Sequence, residues 1–401
     1  MNESARTLTG EDVARFRAET PGVSSRVHLN NAGAAMMATP VVDAVIGHVS
    51  LEAHIGGYEA FAESASRVDA IYDSIAGMIG ASRDEIMLAD SATGAWQRVF
   101  YSLTFEPGDR ILTTESEFAA NYVALLQVCR RTGATVDVIP DDSSGDLDLE
   151  ALERSMDDRV RLISATWIPT NGGSICPAVE VGRIAAEHGA TYLLDACQAV
   201  GQLEIDVEQL QCHVLTATGR KFLRGPRGTG FGYVRRDLLT SLEPAFIDVF
   251  GAPLVAPDHY ELRDDARRFE TWEADYAARL GLGVAVDYAV AVGIDRIRIR
   301  NAELVHRLRT GLSDIRGVTL RDRGTTHAAI VTLTHDAMSA NDIKTALARY
   351  DINVSVSPPA STPLDSSTRR LPPVLRLSPH YYTTTDEVDF VVDRVRHIVR
   401  G

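Results

Sequence analysis

The stretch richest in chemistry is Ala217-Thr218-Gly219-Arg220-Lys221-Phe222-Leu223-Arg224-Gly225-Pro226-Arg227-Gly228-Thr229-Gly230. Lys221 is one of very few lysines among cations that are mostly arginine, and it follows an aliphatic and β-branched run, His213 to Thr216. A lysine ordinarily sits on the surface. Here, tight glycines and the three arginines Arg220, Arg224 and Arg227 indicate backbone packed closely around an anion. The spacing Gly228-x-Gly230-x-Gly232 is no dinucleotide fingerprint, because it follows the site instead of opening a helix. Asp195 comes directly after another apolar run, Thr191 to Leu194. A carboxylate there is costly to bury unless it meets a cation, and a helix cap is an equal reading. Asp90-Ser91-Ala92-Thr93-Gly94 follows Ile86 to Leu88 and leads into a helix. Its free N–H groups and positive dipole end suit a phosphate, although in isolation a plain Ser/Thr cap is the commoner use.

These points are all strand ends. The apolar runs Ile86 to Leu88, Arg110 to Thr114, Thr135 to Ile139, Val160 to Thr166, Thr191 to Leu194 and His213 to Thr216 read as buried strands. Helical patterns alternate with them at Ala95 to Leu103, Ala119 to Thr132, Asp148 to Met156 and Val179 to His188. Such alternation predicts an α/β fold with a mostly parallel sheet covered on both faces, whose ligands settle at the carboxyl ends of the strands. A phosphate cradle, a carboxylate and an amine set among cations at those ends are the three groups that pyridoxal phosphate asks for.

From about Arg279 the texture changes to long helical patterns around a few strands, Ala328 to Thr334, Ile352 to Val356 and Val374 to Leu377. A chain of 401 residues is long for one core, so two domains are expected. The division expected is an N-terminal segment, residues 1–24, packing on the small domain; a large cofactor-binding domain, 25–262; and a small α+β domain, 263–401. Ser357 to Pro373, rich in Pro, Ser and Thr, reads as a surface loop.

The composition, 45% hydrophobic and 24% charged, is that of a globular chain and not a disordered or fibrous one. A net charge of -15 argues against a nucleic-acid partner. No run approaches the length of a membrane span, and Met1 to Glu19 holds no apolar signal core, so a cytoplasmic protein is expected. Four cysteines without a CxxC pair fit a reducing compartment, and the scattered histidines offer no metal-ligand spacing.

Across nearly the whole length, the Thr-Gly-Arg-Lys block and its Gly-Pro-Arg-Gly tail resemble the class V aminotransferase and cysteine desulfurase superfamily, the fold-type I pyridoxal phosphate enzymes. The resemblance implies that Lys221 condenses with the cofactor's aldehyde, Asp195 pairs with its pyridinium nitrogen and Gln198 lies near its phenolic oxygen. Thr93 and Gly94 match the phosphate-binding turn, joined by Thr218 and Arg220. Phe118 stands where the family often has a histidine stacked on the ring, so it stacks without exchanging protons. Asn171 matches the residue that bonds the ring oxygen, and Arg376 the arginine that clamps the substrate carboxylate. Asn31, His380 and Tyr58 are further candidates for the substrate pocket. His380 is as readily a packed core histidine, and Tyr58 would have to arrive from a neighbouring chain. A homodimer is implied too, yet the family's Gly-Thr pair that reaches the partner's phosphate has no match near Trp272-Glu273.

Desulfurases of the superfamily carry a nucleophilic cysteine in the C-terminal part, where Asn353-Val354-Ser355-Val356-Ser357 has none. The expectation is therefore that the chain is not a persulfide-forming cysteine desulfurase. Three blocks, at Gly56 to Tyr58, Asp195 to Gly201 and Arg220 to Gly228, are similar to hercynylcysteine sulfoxide lyases. They favour β-elimination from a cysteine conjugate or sulfoxide, with a class V aminotransferase or an amino-acid epimerase as alternatives. Retention of Lys221, Asp195 and Arg376 together argues against a non-catalytic scaffold.

Overall fold

The computed structural model describes residues 7–400. Seven strands form the large sheet: β1 (Ile86–Ala89), β2 (Arg110–Thr114), β3 (Thr135–Ile139), β4 (Val160–Thr166), β5 (Thr191–Asp195), β6 (Val214–Thr218) and β7 (Gly230–Val234). Their spatial order is β1-β7-β6-β5-β4-β2-β3. Neighbours among β2 to β6 pair in parallel, and β7 alone runs antiparallel to both of its neighbours. The α/β architecture is the one expected, because strands this uniformly apolar demand cover on both faces.

Within this sheet, β7 is the strand that the sequence hid. Its glycines lack strand propensity, but they fit a close approach. A Cβ at Gly230 would lie 2.6 Å from the carbonyl carbon of Ser91, and one at Gly232 would lie 2.5 Å from the Met87 side chain. The helix Ala92–Phe100 thus lies against a strip of sheet with no side chains in its way.

A second sheet is wholly antiparallel, with β8 (Val318–Leu320), β9 (Val331–His335), β10 (Ser355–Ser357) and β11 (Val374–Leu377) in the order β8-β9-β11-β10. The helix Thr385–Arg400 packs beside it against the helices Ile294–Ser313 and Ala340–Ala348. Its buried Val388, Val391, Val392 and Val395 fall at helical spacing on one face. The helix Tyr276–Val292, on the small-domain side of the expected boundary, packs instead against Thr39–Ile55 and Gly57–Ile79. Ser357 to Pro373 is also more than a surface loop. It forms a 3-10 turn, Pro359–Ser361, and a short helix, Pro363–Thr368, which buries Asp365 and Ser366 and whose Asp365 N–H donates to the Glu115 carbonyl at 2.9 Å.

Of the N-terminal segment, residues 1–6 lie outside the described residues. The helix Gly10–Ala18 buries Val13 and Phe16 against Val292, Ile297, Tyr381 and Tyr382. Arg17 pairs with Glu387 at 2.8 Å.

One buried cation joins these pieces. Arg224 is 2% exposed and holds φ at 62°. Its guanidinium donates to the Met36 carbonyl at 2.8 Å, the Tyr381 hydroxyl at 2.5 Å and the Thr20 hydroxyl at 2.6 Å, and lies 4.4 Å from the Tyr382 ring centre. A lysine keeps the charge but loses the fork. Arg224→Lys is expected to cost on the order of 3 kcal/mol. Urea denaturation should show a lower midpoint with an unchanged slope.

Candidate active site

Lys221 sits in the turn that follows β6, and that turn is pinned from several sides. The Thr218 hydroxyl donates to the Thr229 carbonyl at 3.1 Å, and the Ala35 N–H donates to the Arg220 carbonyl at 2.9 Å. The Arg220 guanidinium donates to the Gly33 carbonyl. Lys221 consequently lines a cleft at the carboxyl end of the sheet, with Asp195 at the end of β5, Cys197 and Gln198 just beyond it, Thr93 at the start of helix Ala92–Phe100, and Phe118 before helix Ala119–Thr132. Thr166 and Thr170 complete that wall.

Asp195 is 6% exposed and anchored at both oxygens. Oδ1 accepts the Cys197 N–H at 2.9 Å, and Oδ2 accepts the Asn121 amide at 2.9 Å. Asn121 also donates to Glu117, a fully buried carboxylate on which five donors converge. In Glu117-Phe118-Ala119-Ala120-Asn121 the family pattern singles out only Phe118. The overlooked signal was the four-residue spacing of Glu117 and Asn121, which puts both on one side of the helix start. Burial holds the Glu117 carboxyl above its ordinary range; bonds from Thr166 and Asn121 offset part of that push, and the Asp195 charge adds to it.

Two buried polar atoms lack partners here. The Gln198 amide nitrogen donates to the Ala32 carbonyl at 3.2 Å, but its Oε1 meets nothing. Arg376, on β11, donates from Nη1 to the Thr170 carbonyl at 3.0 Å and hydroxyl at 2.6 Å, leaving Nε unpaired. Burial, helped by the Arg220 cation, pushes Arg376 down to about 10. Orphaned buried groups of this kind are rare without a ligand to meet them. With the Lys221 amine, the anchored Asp195 and the helix end at Thr93, they fit pyridoxal phosphate and a carboxylate-bearing substrate. The Ser91 hydroxyl caps the helix by accepting the Gly94 N–H at 3.0 Å, so capping and anion binding share this turn.

Other candidates are committed elsewhere. The Asn171 amide donates to Asp365 at 2.6 Å, which directs it toward the helix Pro363–Thr368. Asn31 is fully buried, donating to the Ser378 carbonyl at 2.7 Å and accepting the Tyr382 hydroxyl at 2.6 Å. His380 is no pocket wall: its ring is fully enclosed, with Nε2 2.8 Å from the Phe222 carbonyl and Nδ1 against Asn301. Tyr58 is 79% exposed and flanks an apolar groove with Phe61, Phe250, Trp272 and Tyr276, away from the Lys221 cleft.

Residues 27–391 match the family model described as Aminotransferase class-V. A probable cysteine desulfurase of Methanothermobacter thermautotrophicus is 28% identical over 97% of this chain and 98% of its own length. Another from Halobacterium salinarum is 30% identical over 96% of each. Among solved structures, the apo cysteine desulfurase of Thermococcus onnurineus superposes with a TM-score of 0.90 at 24% identity, covering 97% of this chain and 98% of that one. The cystine C-S lyase C-DES, in complex with cysteine persulfide, gives 0.84 at 19% identity over 94% and 99%. At such identities the superpositions speak for the fold.

The full-length desulfurase relatives overturn the expectation that excluded a persulfide-forming desulfurase and favoured β-elimination from a cysteine conjugate. That expectation looked for a thiol only around residues 353–357. In the fold, Ser355–Ser357 is the edge strand β10, whereas Cys197 faces the cleft beside Lys221.

His380 gives this region a pH signature. Burial and the Arg224 cation push its ring down to about 3, against an opposing pull from the Phe222 carbonyl. The unfolded ring takes a proton below about pH 6.5 while the folded one does not, so stability is full above that value and falls as the pH drops. His380→Gln is expected to flatten the fall between about pH 6 and pH 4, as measured by urea denaturation across that range.

Proposed function

Because the chain belongs to the class-V aminotransferase family, we propose that it is a pyridoxal phosphate enzyme that removes sulfur from L-cysteine and passes it to a thiol. One observation carries this reading: a lysine amine and a cysteine thiol, Lys221 and Cys197, share one cleft with the anchored carboxylate Asp195.

When bound, pyridoxal phosphate supplies an electron sink for negative charge at the substrate's α-carbon. Around it, the chain's residues divide the work. The Thr93 turn and the dipole of its helix hold the phosphate, and Asp195 keeps a proton on the ring nitrogen. Phe118 covers the ring with an aromatic face. Arg376, with its free Nε, takes the substrate carboxylate in a charge-assisted pair of roughly 1.5–3 kcal/mol. The Lys221 amine takes the α-proton and returns it after sulfur has left. Among the four cysteines, Cys197 alone lines this cleft, so its thiolate is the group that attacks the substrate's sulfur. The S–S bond forms as the C–S bond breaks, and the electron pair stays with the substrate's β-carbon. That carbon takes up the proton the thiol gave away to become the methyl of alanine. Burial pushes the Cys197 thiol up, and Lys221 pulls it back.

L-cysteine with dithiothreitol should yield alanine and sulfide in equal amounts. Pyruvate and ammonia in their place would reject the proposal. Lys221→Ala should abolish turnover while the protein still folds. Arg376→Gln should raise KM about 10- to 100-fold, which is what losing a pair of that strength implies. Mass spectrometry after a single turnover without reductant should find an added sulfur on Cys197.

A further inference from the structure

The carboxyl end of the sheet carries a continuous row of polar side chains behind the cleft. Cross-strand register pairs Thr113 of β2 with Ser164 of β4, and Thr166 of β4 with Asp195 of β5. All four are buried, and a polar group at such depth must be hydrogen-bonded. The first three converge on Glu117. Oε2 accepts from the Thr113 hydroxyl at 3.1 Å and the Ser164 hydroxyl at 2.8 Å. Oε1 accepts from the Thr166 hydroxyl at 2.7 Å, the Phe118 N–H at 2.8 Å and the Asn121 amide at 3.0 Å. One of those donors, the Phe118 N–H, has no acceptor form to offer in its place, and the Asn121 NH2 is held toward both carboxylates. Five donors and no acceptor-only neighbour describe the surroundings of an anion, not of a carboxylic acid that needs to donate its own proton.

The same Asn121 amide reaches Asp195 at 2.9 Å. One NH2 group therefore ties two buried carboxylates together, and the Cys197 N–H locks the far oxygen of Asp195. Like charges held this close, away from water, each raise the affinity of their surroundings for a proton.

We propose that Glu117, acting through Asn121, is a positioning and charge-setting residue: it fixes the orientation of Asp195 and adds a second negative charge that keeps the cofactor's ring nitrogen protonated. The proposal rests on the reading that Asp195 meets that nitrogen. Neither Glu117 nor Asn121 lines the cleft, so neither touches the substrate.

The test uses the full chain reconstituted with pyridoxal phosphate isotope-labelled at its ring nitrogen and read by NMR. The wild-type protein is expected to give the signal of a protonated nitrogen. Glu117→Gln, isosteric but uncharged, should move it downfield toward the free base. Asn121→Ala, which cuts the bridge and leaves four of the five Glu117 donors in place, should move it in the same direction. Thermal melts of the loaded variants establish that they are folded. Should Glu117→Gln fail to fold, Asn121→Ala decides alone. A wild-type-like signal in the folded variants overturns the proposal. A wild-type protein that takes up no cofactor, showing no visible absorbance, overturns the underlying reading instead.

Discussion

Arg224 is the constraint on which the arrangement turns. A guanidinium at 2% exposure must be matched by dipoles or aromatic faces, and here they come from two separate parts of the chain. Thr20 and Met36 belong to the N-terminal portion, and Tyr381 and Tyr382 follow the last strand of the small sheet. Arg224 itself lies three residues beyond Lys221, in a left-handed conformation that only a well-determined surrounding can hold. Satisfying this one cation therefore fixes the turn that presents the amine. It also brings the N-terminal loop and the segment after the small sheet to that turn, so stability and site geometry have the same source.

The cleft follows a similar economy. Parallel strands end together, and their last residues point into the space at the carboxyl edge of the sheet. The apolar middle of each strand builds the core, and the hydroxyl and carboxyl residues at its end build the site. The row Thr113, Ser164, Thr166 and Asp195 is thus a by-product of register, and Glu117 with Asn121 turns it into a charged network. On the far side, Arg376 arrives from β11 and leaves one nitrogen without a protein partner.

Much of this was legible because buried parallel strands are written as short aliphatic runs, and the residues just after them can be read off in order. Lys221, Asp195, Gln198, Thr93 and Phe118 come from four separate stretches and share one cleft for that reason. Asn171, Asn31 and His380 resisted the same treatment. Their partners, Asp365, Tyr382 and the Phe222 carbonyl, lie 194, 351 and 158 residues away, so no local pattern says that their hydrogen bonds are already spent. Cys197 sits inside the block Asp195 to Gly201, but the family pattern places its thiol in the C-terminal part of the chain. The strand β7 escaped because its glycines speak of contact with a helix and say nothing of propensity.

Those glycines have a consequence for where a negatively charged ligand can rest. The opening turn of helix Ala92–Phe100 is seated directly on Gly230, with the Ser91 carbonyl carbon 2.6 Å from the position a methyl group would occupy. The depth of that turn, and so the distance between its amides and the lysine across the cleft, is gauged by the bare backbone of the sheet beneath it. A side chain there would act as a shim, lifting the anion seat while leaving every residue of the seat unchanged.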